Sequence, residues 1–278
     1  MYVEHLRIPI GSGALHVERV GRGGSPVVLL HGFATCTFLW RQLAPVLANA
    51  GYTAIAIDLL GHGESDCPDE VNYTLAAQAE YVARALAALR LPAVTIVGQD
   101  IGALVALLLA ASPRSRVDSL FLLSPPDPDD LPGAEIRSLQ LSSARAVLSA
   151  STLFGALPAL APLLRGGVSS PPRMSDLLVA RYLAPFVGNR GLNNLLQRAA
   201  AVELSEDARA QIARVACAVC VVDGGAGTPR PSLSWPTLLP AAKVVLHRLG
   251  EVGWLIPQDA PGEVQELLLA WLDSQRNA

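Results

Sequence analysis

The stretch Val97-Gly98-Gln99-Asp100-Ile101-Gly102 decides the reading of this chain. Residues 93–98 are apolar and short enough for a strand buried on both faces, and 101–111 form an unbroken apolar run of helical length. A strand that passes into a helix across one residue needs small neighbours, and Gly98 and Gly102 stand two residues to either side of Asp100. The Asp100 side chain is then expected at the C-terminal edge of the strand, over the helix N-terminus. There the Ile101 N–H can stabilise negative charge. The plainer alternative is that Asp100 only caps the helix, a role aspartate often serves.

Outward from this turn, strands and helices alternate. Residues 26–30 read as a buried strand ending in His31-Gly32-Phe33, followed by a helix over 38–50 that Gly51 stops. A strand over 52–58 and a helix over 74–89, with Thr74 as N-cap, come next, and 117–123 is another strand. Residues 2–10 and 14–20 suggest a hairpin turned by Gly11-Ser12-Gly13. This alternation predicts an α/β fold with a mainly parallel central sheet and helices on both faces.

From 125 to about 205 the pattern changes to Leu, Ala, Pro and Ser with helical periodicity, punctuated by Pro125-Pro126 and Pro171-Pro172. Strand and helix signals resume at 218–222, 243–249 and 262–275. The economical division is one core domain, 1–124 with 206–278, and an inserted helical cap, 125–205.

Composition narrows the function. The 278 residues are 51% hydrophobic with a net charge of −3, so the chain can bury a large core and carries no basic footprint for nucleic acid or membrane. An apolar small molecule is the expected partner. The first nine residues include Glu4 and Arg7 and show no apolar leader, and the run 101–111 is far below the ~20 residues a bilayer demands. The default expectation is a soluble cytoplasmic protein. Lys243 is the only lysine, which we read as codon bias of a GC-rich bacterial genome. Cys217 and Cys220 are three apart in a strand-like run, so they point to opposite faces and form no metal or disulfide pair. No cofactor or metal is expected.

Three further motifs accompany the G-x-D-x-G turn in chain order: His31-Gly32-Phe33, Trp40-Arg41, and Asp58-Leu59-Leu60-Gly61-His62-Gly63-Glu64-Ser65-Asp66. Together these resemble the α/β-hydrolase superfamily, and the Asp at the elbow resembles its epoxide hydrolase and haloalkane dehalogenase branch. The resemblance implies Asp100 as the catalytic group and the N–H groups of Phe33 and Ile101 as an oxyanion hole. It also implies a substrate space lined by His31, Gln99, Trp40, Tyr182 and Trp254. His31 and His62 are expected to shape the rim rather than move protons.

The same resemblance exposes what is missing. Members of the branch hydrolyse an Asp ester with a histidine held in a loop resembling G-H-x-x-x-x-[DE]-x-P. The matching stretch here runs from Gly253 to Pro261 with Trp254 in the histidine's place. The strand-borne His247 is the only histidine beyond the elbow. The triad acid is absent too: Asp223 falls too early, still on its strand, and Asp127, Asp129 and Asp130 have no imidazole to orient. Phe33 and Ile101 replace the side-chain donors that hold halide in dehalogenases. These losses point to a fold kept for new chemistry, a non-hydrolytic cyclase, isomerase or lyase acting on an apolar small molecule in bacterial natural-product biosynthesis. An epoxide hydrolase or other hydrolase with His247 or Glu251 as an unconventional base, and an inactive ligand-binding protein, are the alternatives.

Overall fold

The computed structural model describes residues 2–113, 115–141, 157–225 and 234–276. Its centre is an eight-stranded sheet in the order β1-β2-β4-β3-β5-β6-β7-β8. The strands are β1 (Val3–Pro9), β2 (Ala14–Val20), β3 (Pro26–Leu30), β4 (Thr53–Ile57), β5 (Val94–Gln99), β6 (Val117–Leu123), β7 (Ala218–Gly224) and β8 (Val244–Leu249). β1 runs antiparallel to β2 and β2 antiparallel to β4, and every other pairing is parallel.

Burial explains the sequence pattern. β3 and β4 have five buried residues in succession because helices cover both faces of the sheet centre, whereas β1 alternates exposed and half-buried positions at the edge. The helices of the first half are α1 (Leu43–Asn49), α2 (Leu75–Ala88) and α3 (Ile101–Ala110). Thr74 caps α2 as expected, its hydroxyl accepting from the Ala77 N–H.

The helix anticipated over 38–50 is broken in two: a 3-10 turn over Thr37–Trp40 precedes α1. Pro45 accounts for this. It has no N–H to give to residue 41, so it is accommodated only in the first turn of a helix, and α1 begins two residues before it.

Between β6 and β7 the described residues contain helices and no strand: α4 (Ala134–Gln140), α5 (Leu157–Gly166), α6 (Asp176–Leu183), α7 (Gly188–Ala201) and α8 (Glu206–Ile212). Residues 142–156 of the expected cap lie outside the described residues. Short helices α9 (Trp235–Leu238) and α10 (Ile256–Asp259) lead to the terminal α11 (Pro261–Arg276). Among the described residues no helix is long and apolar enough to cross a membrane.

The connectivity itself creates a place for a ligand. From β3 the chain goes to β4 on one side, and β5 pairs with β3 on the other. Loops leaving the ends of β3 and β5 therefore diverge, and the crevice between them is where open α/β sheets bind ligands. Leu30 pairs with Gly98, which brings His31–Ala34 alongside Asp100.

Candidate active site

Asp100 occupies the one-residue turn between β5 and α3 with φ 52° and ψ −126°. A positive φ is strained for any residue with a Cβ, and such strain concentrates at functional positions. Its side chain makes no N-cap hydrogen bond further into α3 than Ile101, so the plain capping role does not hold. The flanking glycines are obligatory. A Cβ on Gly102 would lie 2.5 Å from the carbonyl oxygens of Leu30 and His31, and one on Gly98 would lie 2.7 Å from Ala103 Cα. Gly32 faces the same limit, 2.2 Å from Gln99 Oε1 and 2.8 Å from Asp100 Oδ2.

The carboxylate receives the Phe33 N–H on Oδ2 at 2.8 Å, and the Ile101 N–H also bonds to it. The two expected oxyanion donors therefore converge on one group, and in this structure that group is Asp100 itself. Burial nevertheless dominates its ionisation. Enclosure by protein pushes the pKa up to about 6 against the pull of the two N–H bonds. The helix-end position favours the charged form and desolvation opposes it; desolvation outweighs it.

No imidazole attends the carboxylate. His31 is fully buried, with Nδ1 at 2.8 Å from the Gly32 carbonyl and Nε2 accepting from the Leu59 N–H at 3.0 Å, so both nitrogens are engaged. Burial lowers its pKa. His62 packs against the rings of His31, Phe33 and Phe186, and burial, with His31 and Arg198 adding to it, holds its pKa well below the usual value. His247 is exposed in the middle of the edge strand β8, opposite Val222. β8 lies three strands from β5, a lateral separation of ~14 Å at ordinary strand spacing.

Trp254 is half-buried. Its carbonyl accepts from Gln99 Nε2 at 3.4 Å, and its indole lies against Gly167, where a Cβ would come within 2.8 Å of the ring. Of the other lining candidates, His31 and Gln99 are 0% exposed and Trp40 and Tyr182 1%. In this conformation they present no surface to a substrate, and Trp254 is the member of the group that keeps partial exposure. Tyr182 is instead tied to the core. Its hydroxyl lies 3.3 Å from Arg41 Nη1 and 3.4 Å from Gln258 Oε1, with Phe38 packed edge-on against its ring. Burial raises its pKa, which keeps the phenol protonated.

The acids behave as solvated or structural groups. Asp223 is the penultimate residue of β7, with burial pushing its pKa up to about 6. Residues 226–228, just beyond this strand, lie outside the described residues. Asp127 caps a 3-10 turn through the Asp129 N–H, and exposed Asp129 pairs with Arg209.

Two buried residues have roles that the sequence did not assign, although Asp259 falls at the acid position of the Gly253–Pro261 motif. Asp259 is 1% exposed and accepts from the Gly253 N–H (2.7 Å), the Ser169 N–H (2.8 Å), the Ser169 hydroxyl (3.0 Å) and Arg173 (3.3 Å). It locks the Trp254 loop to the helical segment, and its spacing before Pro261 was the available signal. Arg198, 2% exposed on α7, stacks 3.7 Å over the Tyr73 ring and fills the space above Gly61, donating to Cys67 Sγ at 2.8 Å. No local pattern marks it.

Comparison with known proteins agrees with this geometry. Residues 25–145 match the family model described as alpha/beta hydrolase fold. A haloalkane dehalogenase of Mycobacterium marinum is 39% identical over 97 residues, 34% of this chain and 33% of that protein. Epoxide hydrolase 3 of Siraitia grosvenorii is 36% identical over 124 residues, 44% of this chain and 39% of that protein. The chain thus spans little more than a third of the length of these relatives in the matched segments. The crystal structure of Cfl2 from Burkholderia cenocepacia superposes with a TM-score of 0.80 at 26% identity, covering 96% of this chain and 95% of that one. The chain is an α/β-hydrolase-fold protein. Over the matched segments its sequence is similar to that of haloalkane dehalogenases and epoxide hydrolases.

Proposed function

We propose that the chain is an enzyme that rearranges an apolar small molecule without adding water, as a cyclase, isomerase or lyase, in a bacterial biosynthetic route. The substrate would lie between the Asp100 elbow and a lid formed by residues 125–205, with Trp254 as one wall. The observation that carries this reading is a carboxylate held by two backbone N–H groups and accompanied by no imidazole. An Asp ester formed there would have no base to activate the water that releases it. A pKa of about 6 suits Asp100 to take a proton from the substrate near neutral pH and return it elsewhere on the product. The same charge can stabilise a developing cation, and the Trp254 ring face can assist.

The experiment is turnover in heavy-oxygen water. A rearranged product free of label is expected. Label in the product would instead establish the second reading, an Asp100 hydrolase, which the names of the relatives favour. Trp254→His is expected to leave hydrolysis of epoxides and alkyl halides at background, because no carboxylate is placed to orient the new ring. Hydrolysis gained by this single change would sink the proposal.

A further inference from the structure

The β1–β2 hairpin gathers metal-ligating groups that no sequence spacing announced. His16 and Glu18 are two apart on β2 and therefore share a face, and His5 on β1 pairs directly with Glu18. One ligand atom from each of His5, His16 and Glu18 lies within 4.8 Å of the other two. His5 Nδ1 and His16 Nε2 face each other at 3.1 Å. Zinc bonded to nitrogen at 2.0–2.1 Å in a tetrahedron places its ligands about 3.3 Å apart, so the exposed His5 ring has little distance to move. Glu64 Oε2 stands 3.9 Å from His16 Nε2, within reach as a fourth ligand.

The surroundings hold these ligands in position. His16 is buried and its Nδ1 is 2.8 Å from Asp58 Oδ2, which leaves Nε2 turned toward His5 and Glu64. Asp58 is itself anchored by the N–H groups of Thr37 and Glu64. The Thr37 hydroxyl donates to Glu18 Oε1 at 3.0 Å. A carboxylate behind a histidine and a donor behind a carboxylate are the supports that metal sites use to orient their ligands. Imidazole with carboxylate suits zinc among the common divalent ions.

We propose that His5, His16 and Glu18, with Glu64 closing over them, form a zinc site on the β1–β2 hairpin, away from the Asp100 elbow. The site ties the edge hairpin to the loop that follows β4, because Asp58 and Glu64 both belong to that loop. Its role is structural.

The test is calorimetric titration of Zn2+ into the chelator-stripped full chain, with Co2+ as a spectroscopic stand-in. Wild type is expected to bind one Zn2+ per chain and to melt at a higher temperature when loaded. His5→Ala and Glu18→Gln should each weaken binding more than ~10-fold, and Thr37→Val, which removes only a supporting donor, by about 10-fold. His5 is exposed, so its variant folds whether or not the proposal holds. Absence of saturable binding, affinity unchanged in both ligand variants, or a Co2+ spectrum with thiolate charge-transfer bands would overturn the assignment.

Discussion

Asp100→Asn is expected to raise the melting temperature well above pH 6 while abolishing turnover. The folded pKa of Asp100, about 6, exceeds its ordinary 3.8 because burial penalises the charge. Between those values the folded state binds more protons than the unfolded state, so stability falls as pH rises through the window. Above it the full cost remains, a shift of roughly two units or about 3 kcal/mol at most. Asparagine removes the charge and keeps an oxygen for the Phe33 N–H. At ~2 °C or more per kcal/mol for a chain of this size, a gain of about 5 °C is expected. The advantage should shrink as pH falls through 6 towards 3.8, where the wild-type carboxyl becomes neutral in both states. Thermal melts of both proteins across this range provide the check. An absent gain would mean that the carboxylate is not held at a cost, and retained turnover would mean that the pocket acts by shape alone.

The opposite result is expected at Asp259. Its carboxylate serves the Gly253 and Ser169 N–H groups, the Ser169 hydroxyl and Arg173, from a position 1% exposed. Asp259→Ala leaves these donors facing a cavity, and buried donors without partners cost ~1–3 kcal/mol each. Some relaxation toward water is available to Arg173, which is half exposed, so the total should be about 4 kcal/mol, with a fall of roughly 10 °C. Asp259→Asn, which keeps one acceptor oxygen, should lose less. Amide exchange at Gly253 and Ser169 should accelerate together, because one side chain holds both. A loss below about 1 kcal/mol would show that packing alone docks the helical segment.

The elbow was legible because its causes are local. Gly98, Asp100 and Gly102 declare a turn that only small flanking residues permit: a Cβ on Gly98 would strike Ala103 five positions on, while the clash at Gly102 with Leu30 and His31 is added by the neighbouring strand. His31-Gly32-Phe33 was readable for the same reason, since it follows a strand whose buried run marks it as a neighbour of β5. Pro45 shows the limit even there: its first-turn preference moved a helix start that periodicity alone placed too early.

Side-chain ends were a different matter. Tyr182 read as a residue facing substrate, yet its hydroxyl meets Arg41 and Gln258, 141 and 76 positions away. Arg198 reaches Gly61 and Tyr73, and His5, His16 and Glu18 meet only because the hairpin register sets them on one face. The sequence alone determined the strand–elbow–helix unit and the identity of Asp100, because backbone sterics act within a few residues. Tertiary structure decided the raised pKa of Asp100 and the partners of Tyr182, Asp259 and His16. Desolvation and the reach of long side chains depend on neighbours that the chain brings together only by folding.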